Sequence, residues 1–326
     1  MPLDGNSSSA TSPRLAVWLA LVANIVVAAA KIVGGALTGS SAMLAESAHS
    51  LADSLNESFL LTSLRRSARQ ADARHPFGYG KERFFWSLLA AVGIMVAGAG
   101  FSGIEAYRAF TGHASTGRGY FAINYTILGI AGVAEGLSWA RAMWQLRAQA
   151  RSADRRLIEH VKASSDPSLK TVASEDAAAV VGAILAGVGL LLHQVTGSGR
   201  YEGAAAAAIA VLLVVVAVTL GRDTKELLIG EAAIPELTEE VRRFLLEERH
   251  EIDEVVDLLT MHLGVDSILL AARVDLASHL TSDDIESLSH DLDLEIQRRW
   301  PSVTQVFIDA TRSTENVDRV GLSPGL

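Results

Sequence analysis

Apolar stretches long enough to cross a bilayer recur along the first two thirds of the chain, and one of them is interrupted by charge at regular intervals. They run over about 14–37, 40–64, 84–108, 120–142, 167–194 and 201–221, against the roughly 20 helical residues that span a hydrocarbon core. The last, with AAAAAIAVLLVVVAVTL, is the plainest. Alanine and glycine dominate others, as in AAVGIMVAGAGFSG and AAAVVGAILAGVG, and small residues let membrane helices pack closely. The second stretch, SSAMLAESAHSLADSLNESFLLTSL, carries Glu46, His49, Asp53 and Asn56. Their spacing of i, i+3, i+7 and i+10 puts them on one side of a helix. Ionisable groups at bilayer depth are costly and mark ion pathways or proton relays.

From about Ile234 the pattern changes. PELTEEVRRFLLEER is an amphipathic helix, VVDLLTMHL and SILLAARVDL are β-branched strands separated by Gly264-Val265-Asp266, and TSDDIESLSHDLDLEIQRRW is a helix opening on a Thr281/Ser282 cap. SVTQVFIDA closes as a strand. The order αββαβ predicts a small α+β layer domain. The expected division is a six-helix transmembrane domain over 14–231 and a soluble domain over 232–312, with polar, disordered tails at 1–13 and 313–326. A sheet domain this small does not readily cover both of its faces, so pairing about a dimer axis is expected.

Basic residues orient the spans. Arg65, Arg66, Arg69, Arg74, Lys81 and Arg83 follow the second, and Arg141, Arg147, Arg151, Arg155, Arg156, Lys162 and Lys170 follow the fourth. The alternate loops carry only Arg108, Arg118 and Arg200. The positive-inside rule then sets both termini in the cytoplasm. The linker after the fourth span has helical spacing up to Asp166, which is expected to cap the fifth span with Pro167 in its first turn. The short polar N-terminus suggests a multi-pass protein of a bacterial inner membrane.

The chain has 326 residues and no cysteine. That excludes disulfides and thiolate metal sites, so any metal must be held by His, Asp and Glu. The net charge of −9, concentrated in the soluble end, argues against nucleic-acid binding.

Span two runs inward, which puts Asp53 about 20 Å below its outer end at 1.5 Å per residue. Span five runs outward from Pro167, which puts Asp176 about 14 Å from the inner end. The two depths coincide. An imidazole with carboxylates suits a borderline divalent ion, Zn²⁺ above all, and His49, Asp53 and Asp176 are the expected ligands of one transport site. Glu46, on the same face, is a candidate fourth ligand, and Glu175 an additional ligand or proton carrier. Mn²⁺, Co²⁺, Fe²⁺ and Cd²⁺ stay open. The plainer alternative is that His49 and Asp53 merely pair with each other or with polar groups of the spans. Asn24, Lys31 and Glu135 read as packing or charge-compensating residues.

At these residues the chain resembles the cation diffusion facilitator family. GSSAMLAESAHSLADSLNE resembles that family's second helix, with His49 and Asp53 as its HxxxD motif, and RHPFGYGKERFFWSLL resembles its loop into helix three. The likeness extends from about Arg14 to Asp309 and is nearest the branch containing a mitochondrial zinc transporter. It implies a homodimeric antiporter that exports a divalent metal against protons, with six transmembrane helices and a cytoplasmic ferredoxin-like domain. The family usually carries a second HxxxD on helix five; here Asp176 matches its aspartate and Val172 stands where the histidine would be. Asp72 and His75 match ligand positions of a family loop site, with Tyr79 where a histidine often occurs. In the soluble domain, where some relatives bind metal, most corresponding positions are unsuited and Asp309 is one candidate survivor, so little or no tight metal binding is expected there, and His262 reads as a strand residue.

The expected activity is therefore alternating-access exchange of metal for protons by a protein that is no enzyme, carries no prosthetic group and works as a homodimer in a lipid bilayer. Two other classes compete. An intramembrane metalloenzyme would need a nucleophile constellation or HExxH, and neither occurs. A non-transporting partner subunit would show no flux when reconstituted alone.

Overall fold

The computed structural model describes residues 13–112, 121–152 and 167–311. They fall into a helical unit, which takes the chain up to Gln70 and Glu82–Lys225, and a second unit of Ala71–Lys81 with the chain from Glu226 onward.

The helical unit begins with α1 (Pro13–Thr38) and α2 (Ser41–Ser67). Gly39, at φ 68°, ends α1 in the left-handed conformation that glycine adopts without steric cost, its N–H bonded to the Gly35 carbonyl at 2.8 Å. Ser40 then caps α2, its hydroxyl accepting from the Met43 N–H. α3 (Glu82–Phe110) contains a π-helical segment, Ile94–Gly100. α4 (Phe121–Ser152), α5 (Pro167–Thr196) and α6 (Arg200–Ile229) complete the unit. Pro167 opens α5 as expected; Asp166 and both polar tails lie outside the described residues.

Among the described residues four helices are long and apolar enough to cross a membrane: α3, α4, Ser174–Thr196 of α5, and α6. α1 offers a shorter apolar stretch, Asn24–Thr38. α2 is helical throughout, but its polar face keeps it out of that set. α1, α3, α4 and α5 all pack against other helices of this unit, α2 against α1, α3 and α5. The core is built from small side chains such as Ala42, Ala52, Ala178 and Ala206, with Ile209 and Leu213 filling between them. Large apolar side chains such as Val96, Ile130, Leu137 and Val211 stay exposed on the outside.

The second unit has α7 (Pro235–Glu247), β1 (Ile252–Gly264), β2 (Ser267–Leu276), α8 (Ser282–Arg299) and β3 (Val303–Ala310), in the expected order. The sheet order is β1-β2-β3, with β1 antiparallel and β3 parallel to β2. α8, the crossover between the parallel strands, starts on a capping box of Thr281 and Asp284. Ile268, Leu270, Ala272 and Val274 alternate inward along β2 and meet Phe244 and Leu245 of α7 and Leu292 and Ile296 of α8. The loop Ala71–Lys81 belongs to this unit. Phe77 sets an edge contact with Phe307 at 6.4 Å, and a Cβ at Gly80 would stand 2.4 Å from the Leu263 carbonyl oxygen, so only glycine permits that approach.

Candidate functional site

α2 is polar, and much of its polar face is buried. Several hydroxyls bond within the helix: Ser47 donates to the Met43 carbonyl at 2.7 Å, Ser54 to the Ser50 carbonyl at 3.0 Å and Ser58 to the Ser54 carbonyl at 2.9 Å, whereas Ser41 Oγ is buried without a partner. Both ring nitrogens of His49, Oδ1 of Asp53, Oε2 of Glu46 and Oε2 of Glu57 are buried without a hydrogen-bond partner. His49 Nδ1 stands 3.7 Å from Asp53 Oδ1, too far for a hydrogen bond but one helical turn away on the same face. Buried polar atoms are normally paired, so a row of unpaired ones needs an occupant or a task.

Two neighbouring helices face this row. On α5, Glu175 is buried and accepts from Asn56 Nδ2 at 2.5 Å, while its Oε1 has no partner. Asp176 looks elsewhere, accepting from the Ser138 hydroxyl of α4 at 3.0 Å. The roughly 100° between successive helical residues separates the two carboxylates, and it is Glu175 that bonds to α2. Val172 lies one turn before Asp176 in α5. On the other side, Lys31 of α1 is fully buried and donates to Glu46 at 3.1 Å, Ser50 at 2.8 Å and Glu135 of α4 at 2.7 Å. Asn24 of α1 donates to Glu57 at 2.7 Å. Of the expected ligands, then, His49 and Asp53 stand together, Glu46 is drawn to Lys31, Glu175 to Asn56 and Asp176 to Ser138. Among the described residues no three His, Asp or Glu side chains converge on one point closely enough to hold an ion.

Two groups escaped the sequence reading. Glu57 extends the row one turn beyond Asp53, and the i+4 spacing from Asp53 was the available signal. Glu202, at the start of α6, is almost wholly buried; it pairs with His193 Nδ1 of α5 at 2.5 Å and accepts from the Ser40 hydroxyl. Next to Arg200 and Tyr201 it reads as an ordinary charged span end, so no sequence signal singled it out.

In the second unit the loop residues Asp72 and His75 form a tight turn. Asp72 Oδ1 accepts from the Arg74 and His75 N–H groups at 2.9 and 2.8 Å, and Oδ2 from the Tyr79 hydroxyl at 2.7 Å. These bonds, the Tyr79 hydroxyl foremost, hold the carboxyl at about 2, well below its ordinary range. His75 stacks near Tyr79 with ring centres 4.2 Å apart. Asp309 of β3 accepts from Arg273 Nε of β2 at 3.0 Å, and His262 lies buried in β1, where burial pushes its imidazole below the ordinary value.

Comparison with known proteins adds a family. The model described as the cation efflux transmembrane domain matches residues 17–229. A protein of Xenopus laevis named as a mitochondrial proton-coupled zinc antiporter is 30% identical over 268 residues, covering 80% of this chain and 47% of the relative. Metal tolerance protein C4 of Arabidopsis thaliana is 30% identical over 260 residues, 80% of this chain and 56% of the relative. The manganese efflux system protein MneP of Bacillus subtilis is 25% identical over 303 residues, 90% of this chain and 94% of the relative. The chain thus spans about half the length of the first two relatives it matches. These findings bear out the resemblance, including its mitochondrial zinc transporter branch, and they correct the expected location. The Xenopus protein is mitochondrial by name, so a bacterial inner membrane is not supported. A short polar N-terminus carries no physical address, whereas the multi-pass membrane character rests on the apolar helices themselves. The chain belongs to the cation efflux family.

Proposed function

We propose that this cation efflux protein is a transporter, not an enzyme, and exports a divalent metal ion, zinc, in exchange for protons. The reading rests above all on the row of buried, unpartnered ligand atoms on α2: both nitrogens of His49 and one oxygen each of Glu46, Asp53 and Glu57. A divalent cation gives such groups the partner and the compensating charge that apolar surroundings withhold. The same pattern is costly for a helix that merely packs.

His49 and Asp53 are the fixed half of the transport site, and Asp176 and Glu175 of α5 the movable half. The divided bonding of the acidic pair, Glu175 to Asn56 of α2 and Asp176 to Ser138 of α4, supports a carrier in which α5 turns or slides against α2 to close the coordination shell. Glu175 replaces Glu46 as the preferred fourth ligand, because Glu46 is engaged by Lys31 and Val172 offers no donor. When the ion leaves, protons take its place, so the site does not present bare charge to the helices around it. An imidazole nitrogen and a carboxylate oxygen each bind either a metal ion or a proton, so the two compete for the same atoms.

The remaining parts of the reading follow. All six long helices span the membrane, α2 at the centre with its polar face turned inward, over residues 14–231. Residues 232–312 form a ferredoxin-like domain on the side of the basic loops, through which two copies pair. Asp72 and His75 organise a turn and hold no metal, since the carboxylate of Asp72 is committed to Tyr79 and two backbone donors.

Reconstitution of the protein alone in proteoliposomes, with Zn²⁺ uptake and internal pH followed together, tests this. Zinc entry with opposite proton movement, lost in Asp53→Ala and in Asp176→Ala, is the expected result. Flux that persists in both variants sinks the site, and metal-dependent turnover of a lipid or peptide without flux sinks the transporter.

A further inference from the structure

Lys31 is the one described cation sealed inside the helical unit. An ammonium has three protons to donate, and here each meets a different acceptor on one of two helices: Glu135 Oε1 of α4 at 2.7 Å, and Ser50 Oγ and Glu46 Oε1 of α2 at 2.8 and 3.1 Å. One carboxylate would have neutralised the charge. The second leaves the cluster with surplus negative charge, and Oε2 of both Glu46 and Glu135 is buried without a partner. Five oxygens, four of them carboxylate, therefore surround or adjoin a single positive point. That is the donor set of a hard cation, distinct from the imidazole-containing set at His49 and Asp53.

We propose that Glu46, Ser50 and Glu135 form a second cation-binding pocket whose permanent occupant is the Lys31 ammonium, and that this tethered charge reserves the carrier for one mobile ion. The proposal rests on the reading of His49 and Asp53 as the cargo site. Ser50 follows His49 directly and Glu46 lies one turn before it, so an ion free to enter the pocket would sit beside the cargo. Two divalent ions at that spacing repel, or travel together. A lysine removes both outcomes, because its ammonium fills the place between the two carboxylates and never leaves. Gly182 of α5 serves the same arrangement: a Cβ there would stand 2.6 Å from Glu46 Oε2, so its absence lets Glu46 reach Lys31 with α5 packed close.

Equilibrium dialysis of the purified full chain against Mn²⁺ tests the pocket. Lys31→Met keeps the length of the side chain and removes its charge; it is expected to bind one more Mn²⁺ per chain than the native protein. Lys31→Met/Glu135→Gln is expected to lose that extra ion, and Lys31→Arg to keep the native stoichiometry. Because the charge partner is gone, Lys31→Met is also expected to gain more thermal stability from Mn²⁺ than the native protein does. A folded Lys31→Met with native stoichiometry overturns the proposal, as does a variant that cannot be recovered even with Mn²⁺ present throughout. Asp53→Ala distinguishes the two readings. It should remove the cargo ion with or without the lysine, and if it removes nothing the cargo site is wrong while the gain in Lys31→Met still stands.

Discussion

The helical unit and the sheet domain bury opposite kinds of residue. Inside the sheet domain Phe244, Leu270, Leu292, Ile296 and Val303 meet in an apolar core. Inside the helical unit the interior holds Lys31, Glu46, His49, Asn56, Glu175 and Glu202, and of all the buried polar and charged side chains described only His262 lies elsewhere. The outside inverts the same way, for the helical unit exposes large apolar side chains. One unit excludes water to gain stability. The other arranges polar groups where water is scarce, which is a costly arrangement and therefore a functional one.

Substitutions that exchange the two kinds of interior should expose this difference. The largest effect is expected on flux. Asp53→Ala removes a proposed ligand, and since outer partners of metal ligands already cost about 10–100-fold in affinity, zinc flux in proteoliposomes should fall by at least about 100-fold with the fold kept. Next comes a cavity in the apolar core. Leu292→Ala should destabilise the sheet domain by about 2–5 kcal/mol, read by denaturant melting. Gly182→Ala should cost about 1–3 kcal/mol by crowding Glu46, whose carboxylate is held by Lys31 and cannot swing away; an unaltered melting temperature would mean that Glu46 moves freely. The smallest effect concerns the turn at Asp72. Its carboxyl falls from an ordinary 3.8 to about 2 on folding, so its contribution is complete above about pH 4 and is lost as the pH drops toward 2. Tyr79→Phe, which removes the foremost cause, should narrow that window, followed by the carboxyl resonance in NMR titration.

Much of this was legible in the chain. The i, i+3, i+7 row on α2 marked the polar face because helical geometry alone fixes which side chains share it. Depth counting brought α2 and α5 together, and Asn56 does bond to α5. Counting could not tell which of Glu175 and Asp176 turns toward α2, since that depends on how α5 is rotated against its neighbours. In the sheet domain β2 alternates cleanly, whereas in β1 the buried Ile252, Val255 and Leu258 are three apart. Register shifts between Ile252 and Glu254 and between Val255 and Asp257 break the period of two. The partners of Lys31 come from helices 15 and 104 residues away in sequence, a distance no local pattern reports.

The hydroxyl of Ser40 has two obligations. It accepts the Met43 N–H that begins α2, and it gives its proton to Glu202 at the mouth of α6, where His193 of α5 also ends. Any parting of α6 from α2 at this extremity must therefore break the Ser40–Glu202 bond, at about 1.5–3 kcal/mol for a hydrogen bond to a charged group, while the cap on Met43 stays in place. The polar helix is thus tied to α6 at its N-cap by one hydroxyl, and any motion that separates the two at that end has to give up this tie.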